Sequence, residues 1–356
     1  MNAMTQMPNQ LATDASAWKV ADFTSPADYC VTLSESNLDE LDSALRTAKA
    51  RGLSLTEITR EDFPLPGMAA SIREWCDELG QGRGFFILDR LPVERYSVEE
   101  LEMIYWGIGT HMGKAVSQSV MGDMIGWVMD HSREDPHARA YRNRQALVPH
   151  TDFASVAGLL CIRPGRDGGE TLLTSVASIN NVMLENAPEQ LERLYHGYYR
   201  HRRGEQGPGE KAYTEQKTPV LWSVEGRIGC HYTRPYVVNG QLAAGEPLDA
   251  FSLAALDTFD QIASSDDLQL RFTIQAGQVL FMSNYSVLHG RTAFEDHDEI
   301  ERRRLLLRLW LLCPGLQPLP DCSLDSHEGI APQPGRRPTF DWSAVNASQP
   351  NGSVVN

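Results

Sequence analysis

The sequence predicts a mainly β fold with flanking helices, an α+β chain built around an antiparallel sandwich or barrel. Three observations carry this. From about residue 115 onward, short apolar stretches alternate with turn signals: Val156–Arg163, Glu170–Val176, Val220–Val224, Arg227–Arg234, Leu270–Ile274, Gln278–Met282 and Arg303–Cys313. Helical periodicity is concentrated before that point, and later only near Pro188–Tyr195 and Leu248–Ile262, one helical insertion rather than regular βα alternation. The 356 residues are 42% hydrophobic and 22% charged, enough apolar material for a large core.

The elements follow in order. Residues 1–20 are polar and rich in Met, Gln and Asn, which predicts a loose N-terminal segment. Asn37–Arg51 is an amphipathic helix, with Leu38, Leu41 and Leu45 at helical spacing. Pro66–Gly80 forms a second helix. Gly84–Asp89 holds Phe85, Phe86, Ile87 and Leu88 between a glycine and Pro92, the pattern of a buried strand. Ser97–Gly107 opens with Ser followed by Glu three residues on, a helix-start pair. Trp106, Trp127 and Trp222 are expected in the core. One unit spans 21–314, with a helical insertion around 178–265 and a polar coil tail at 315–356.

Composition narrows the function. The formal charge of −15 repels phosphate backbones and anionic membranes. The six cysteines form no C-x-x-C pair and read as free thiols. The first sixteen residues lack a basic start and an apolar run, and Leu305–Cys313 is too short to span a bilayer and is interrupted by Arg308. These features predict a cytoplasmic protein with a small-molecule substrate, no nucleic acid and no membrane partner, and leave room for a homo-oligomer. Gly204–Lys211 lacks the spacing of a phosphate loop.

The chemistry begins at His150-Thr-Asp152. On an extended strand, residues two apart share a face, so one imidazole and one carboxylate can grip one metal ion. The best third ligand is His289, in the segment Asn284–Arg291 after the apolar stretch 278–282, with the other histidines as competitors. Two imidazoles and one carboxylate leave open positions on an octahedral ion, the pattern of mononuclear non-haem Fe(II) oxygenases. Downstream, Arg304 and Arg308 share one strand face with Leu306 and Trp310, while Leu305, Leu307, Leu309 and Leu311 form an apolar reverse face. Two arginines on one face suit carboxylate recognition, although structural ion pairs would use them equally well.

Five motifs now stand in order: His150-x-Asp152, Gly168-Gly-Glu-Thr171, Ala276–Asn284, Leu288–Asp296 and Arg302–Arg308. Over roughly 84–313 the chain resembles the taurine dioxygenase/clavaminate synthase-like (TauD/TfdA) family of Fe(II)- and 2-oxoglutarate-dependent oxygenases. The resemblance implies a double-stranded β-helix, or jelly-roll, core. It implies Fe(II) on His150, Asp152 and His289, with 2-oxoglutarate and O2 as co-substrates. Arg304 would pair with the distal carboxylate of 2-oxoglutarate, helped by the Thr171 hydroxyl. Arg308 would meet the other end of the co-substrate or an acid group of the prime substrate, and Asn284 would buttress the site. Asp152 argues against a halogenase, whose relatives carry a small residue there.

The implied reaction releases succinate and CO2 and oxidises an sp3 carbon of a small carboxylate or amino-acid-like substrate, hydroxylation being the default and desaturation or ring closure the alternatives. Substrate contacts are expected from Gln118, Arg308, Tyr232 and Arg234, the last two sharing strand parity. Tyr198, Tyr199, Arg202 and Arg203 would form a lid or pocket wall. Two other classes use parts of the same pattern. A non-catalytic small-molecule-binding jelly roll would keep the scaffold, and a zinc hydrolase would need a general base that the sequence does not offer nearby.

Overall fold

The computed structural model describes residues 6–130, 142–322, 329–333 and 335. The chain begins with β1 (Cys30–Thr32), α1 (Glu35–Ala50), α2 (Ala69–Gly80), β2 (Phe85–Asp89) and α3 (Val98–Met112). Helix α1 starts one residue after Ser34, whose hydroxyl accepts from the Asn37 N–H, and α3 starts after Ser97 in a reciprocal capping pair with Glu100. Next come β3 (Lys114–Ala115), β4 (Ile125–Val128), β5 (Leu147–His150), β6 (Val156–Arg163), β7 (Asp167–Gly168) and β8 (Thr171–Ser175). The insertion holds α4 (Val176–Asn186), α5 (Pro188–Leu194), β9 (Gly197–Tyr198), β10 (Thr218–Pro219), β11 (Leu221–Val224), β12 (Arg227–Cys230), α6 (Arg234–Ala243) and α7 (Ala250–Ala263). The chain returns to the core through β13 (Gln269–Phe272), β14 (Val279–Ser283), β15 (Val287–Arg291), β16 (Phe294–Glu295) and β17 (Leu305–Leu312).

Two sheets make the jelly-roll core. The larger runs β1-β2-β14-β6-β17-β3, with β4 also on β17, and the smaller runs β13-β8-β15-β5. All these pairings are antiparallel except β1 with β2. Ala157, Leu280, Leu306 and Trp310 of the larger sheet share one apolar cluster with Leu173, Leu270 and Val287 of the smaller, so the inner faces pack on each other. Leu305, Leu307, Leu309 and Leu311 lie in another cluster with Leu41 of α1, Trp75 of α2 and Ile104 of α3. Strand β17 therefore divides by parity as expected, odd residues toward the helices and even residues between the sheets. A third cluster, from α4, α5, α7 and β12, forms the core of the insertion.

Several expectations need correcting. Residues 6–20 are docked: Trp18 is 3% exposed and its indole N–H donates to the Arg83 carbonyl, while Asn181 exchanges hydrogen bonds with Ala12. The stretch Arg227–Arg234 is a strand only to Cys230, and Arg234 opens α6 with Pro235 in its first turn. Trp127 points outward from β4 at 41% exposed, its N–H on Glu102. Among the described residues no helix is long and apolar enough to cross a membrane.

Candidate active site

The site is built where β5 and β15 pair. His150 lies directly opposite His289, and the ladder slips by one residue before Arg291 meets Leu147, a bulge on β5. Pro149, which has no N–H to donate, is tolerated because β5 is the edge strand of its sheet. The imidazole rings lie 4.4 Å apart, centroid to centroid. Asp152 falls two residues beyond the end of β5, where its backbone N–H donates to Asn284 Oδ1 at 3.0 Å. Asp152 Oδ2 stands 3.6 Å from His289 Nε2, and Oδ1 stands 4.0 Å from His150 Nε2. One ligand atom from each of these three residues lies within 4.8 Å of the others, the only such group among the described residues.

The surroundings suit a cation held by these atoms. His150 Nδ1 lies 2.8 Å from the Val148 carbonyl. A proton there leaves Nε2 as the electron-pair donor, the usual arrangement of a metal-binding histidine. Burial pushes the His150 pKa down to about 4, His289 pushes the same way, and Asp152 opposes them. Burial raises the Asp152 pKa, but Arg308 and the two histidines outweigh it and hold the carboxyl well below the usual range. The triad offers two imidazoles and one carboxylate, the donor set that suits Fe(II).

Arg308 and Trp310 project from the even face of β17 onto the same carboxylate. Arg308 Nη1 lies 3.3 Å and Trp310 Nε1 2.8 Å from Asp152 Oδ2. Gln118, expected at the substrate, holds Arg308 instead. Its Oε1 accepts from Arg308 Nε at 2.8 Å, and its Nε2 donates to the Arg308 carbonyl at 2.7 Å. Gln118 is 1% exposed and is absent from the cavity wall. Gln118→Leu would leave a buried guanidinium N–H unpaired, a loss of about 1–3 kcal/mol. Because the carboxylate's partner is then loosened, metal affinity should fall about 10- to 100-fold, read by metal titration beside a thermal melt.

The cavity over the triad also contains Thr171, Arg291 and Arg304. Thr171 begins β8 and pairs with Arg291. Arg304 precedes β17; its backbone N–H is anchored on both oxygens of Asp296, at 2.9 and 3.1 Å. Gly168 and Gly169 turn at φ 69° and 71°, and a Cβ on Gly169 would stand 3.4 Å from Arg304 Nε, so glycine suits both the backbone and the close approach. The Arg291 and Arg304 guanidiniums both stand over the Phe294 ring, at 4.7 and 5.1 Å. Arg291 Nη2 donates to the Asn143 and Gln145 carbonyls. Its Nε and Nη1, and Arg304 Nη1, are buried without an acceptor among the described residues. Burial and the neighbouring Arg304 push the Arg291 pKa down to about 9, against a smaller opposing pull from Asp130, as expected of two like charges buried side by side. Arg291 was missing from the expected site, although it lies two residues after His289 on one strand.

Other expected contacts fall elsewhere. The Tyr232 hydroxyl donates to Asp260, and Arg234 bridges Asp257 and Asp260 on α7; neither lines the cavity. The chain leaves the strand at Cys230, so the parity that would aim both inward does not apply. The Tyr198 hydroxyl donates to the Arg193 carbonyl, Tyr199 lies beneath Lys217, and Arg202 pairs with Glu210. Of this group Arg203 alone reaches the cavity.

Residues 49–310 match the family described as taurine catabolism dioxygenase TauD, TfdA. The chain is 27% identical over 315 residues to FR-33289 synthase of Streptomyces rubellomurinus, covering 86% of this chain and 92% of that protein. It is 30% identical over 327 residues to the taurine hydroxylase-like protein SAT17 of Stachybotrys chartarum, covering 85% and 82%. Among solved structures, an asparagine oxygenase with Fe(II), 3-hydroxyasparagine and succinate superposes with a TM-score of 0.62 at 14% identity, over 80% of this chain and 94% of that one. The non-haem iron oxygenase OrfP with Fe and α-ketoglutaric acid gives 0.59 at 15%, over 80% and 93%. The chain belongs to the TauD/TfdA dioxygenase family and is an iron- and 2-oxoglutarate-dependent oxygenase.

Proposed function

We propose that this enzyme oxidises, by hydroxylation, an sp3 carbon of a small carboxylate or amino-acid-like substrate, using one Fe(II) held by His150, Asp152 and His289. The observation that carries the reading is one cavity containing both the triad and the unpartnered donors of Arg304 and Arg291. When bound, the metal and 2-oxoglutarate supply the oxidising chemistry, with succinate and CO2 as the co-substrate's products.

The chain's own residues prepare the ground. Arg304, Arg291 and Thr171 bind the distal carboxylate of 2-oxoglutarate, and the fork geometry of a guanidinium fixes its direction. Arg308 and Trp310 hold the Asp152 carboxylate in place, and Asn284 holds its backbone N–H. Arg308 thus serves the metal ligand first, and the part of its side chain that lines the cavity stands near whatever fills it. The apolar wall of Val128, Leu147, Leu159, Met282 and Leu306 excludes water from the reacting carbon. Relatives solved with asparagine and arginine products support an amino-acid-like substrate.

The test is direct. Anaerobic protein with Fe(II) and 2-oxoglutarate should develop a weak visible charge-transfer band, and air with the right substrate should yield succinate in step with oxidised product. A colourless mixture, with no succinate from a broad panel, would favour a binding protein. Arg291→Met should raise the half-saturating 2-oxoglutarate concentration about tenfold or more, the loss of one hydrogen bond between charged groups, measured on the same band.

A further inference from the structure

Arg203 stands apart from the arginines of β15 and β17. It comes from the insertion, between β9 and β10, yet lines the same cavity as the triad. Its backbone sits at φ 59°, in the left-handed region that bulky side chains rarely occupy. Its N–H donates to His201 Nδ1 at 2.9 Å. The guanidinium lies 4.5 Å from the Phe153 ring centre and 4.9 Å from that of Tyr236, two rings stacked 5.7 Å apart. Phe153 follows Asp152 directly, so the arginine's aromatic bed continues the metal-ligand loop. Nη1 donates to the Tyr236 hydroxyl at 3.2 Å, Nη2 stands 2.9 Å from Glu205 Oε2, and Nε is buried without an acceptor among the described residues.

Stability alone is a poor reason for this arrangement. A left-handed arginine costs backbone free energy, a buried ion pair contributes little net stability, and an unmade buried hydrogen bond is a loss. An anion in the cavity would use the vacant Nε–H, and the desolvated aromatic bed would strengthen that contact. The other arginines of the wall make different contacts. Arg304 and Arg291 lean on Phe294, and Arg308 serves Asp152 and Gln118. Arg203 shares their cavity but none of these partners.

We propose that Arg203 receives the anionic head group, a carboxylate or a sulfonate, of the prime substrate and thereby selects for it. This rests on the oxygenase reading above. The consequence is a division of labour: the strand arginines take the co-substrate's acid, and the insertion arginine takes the substrate's.

The experiment uses anaerobic protein with Fe(II) and 2-oxoglutarate, titrated with taurine and the L-amino acids. Each acid is run beside an analogue lacking it, an amino-acid amide or, for taurine, ethanolamine. The readout is the shift of the charge-transfer band. At least one acid should shift the band, with its analogue binding about 10- to 100-fold more weakly, the range of one or two hydrogen bonds to a charged group. Arg203→Met should weaken that acid by a similar factor and abolish its preference over the analogue. Arg203→Lys should recover part of both, and the 2-oxoglutarate titration should follow the wild type. Comparing taurine with the amino acids separates sulfonate from carboxylate. If Arg203→Met does not fold, Arg203→Gln carries the same comparison.

An Arg203→Met protein that keeps the preference overturns the proposal. So does a wild-type band that no acid moves, or that the neutral analogues move equally. If Fe(II) and 2-oxoglutarate produce no band at all, the oxygenase reading fails first and takes this inference with it.

Discussion

A His289→Ala protein should fold, bind Fe(II) more than about 100-fold more weakly, and make no succinate above background. The magnitude follows from the ligand's place: losing an outer partner of a metal ligand already costs about 10- to 100-fold, and His289 is one of only three donors. Its fold should tolerate the change, because His289 Nδ1 has no hydrogen-bond partner to lose among the described residues and most single substitutions cost about 0.5–3 kcal/mol. Asp152→Ala makes the contrast. It also removes a ligand, but it strips Arg308 and Trp310 of the carboxylate they share. Breaking a buried charged pair from one side costs about 3–5 kcal/mol. The two variants should therefore be equally inactive and unequally stable, read by metal titration and thermal melts of metal-free protein. Full iron binding by His289→Ala would remove the triad as the metal site. Equal melting of the two would show instead that Asp152 is not the carboxylate holding Arg308.

What the sequence made legible was strand chemistry. The alternation in Arg303–Cys313 assigns Leu305, Leu307, Leu309 and Leu311 to one side and Leu306, Arg308 and Trp310 to the other, and the clusters on the two sides of β17 agree. A period of two is enough for that, because both faces of β17 are buried and their chemistry differs. The same rule applied at His289 would have reached Arg291. It gave the right residue for a partly different reason at Asp152, which lies past the end of β5 and is held by Asn284, 132 positions along the chain. No local pattern encodes such a contact.

The substrate side was harder to read because tertiary packing overrides propensity there. Helix α6 carries Val237, Val238, Asn239 and Gly240, poor helix formers, and Pro235 at its start was the available signal. Gly240 belongs there because a Cβ would press on the Tyr199 carbonyl at 2.4 Å. That close approach sets α6, which carries Tyr236, against the segment leading to Arg203. Polarity misled at residues 6–20, where one tryptophan and a few side-chain hydrogen bonds suffice to dock the chain.

Replacing Arg304 with Met should raise the half-saturating 2-oxoglutarate concentration about 100-fold or more while leaving the metal site and the fold in place. Each hydrogen bond to a charged group contributes about 1.5–3 kcal/mol, and a guanidinium can make two parallel ones to a carboxylate. The fold should survive for a specific reason. The contact that anchors residue 304 on Asp296 is made by the backbone N–H, which methionine keeps. The guanidinium that is lost leaves one buried donor fewer without an acceptor and relieves Arg291 of a like charge beside it. Stability should therefore hold or rise as affinity falls, the opposite of what removing a structural arginine would do. At saturating 2-oxoglutarate most of kcat should return, since the triad and its Arg308 support are untouched, so the defect belongs in KM. Arg304→Lys should fall between, because an ammonium supplies charge without the planar fork. If Arg304→Met titrates with 2-oxoglutarate like the wild type, the co-substrate's carboxylate lies elsewhere, and Arg291 would be the first residue to change next.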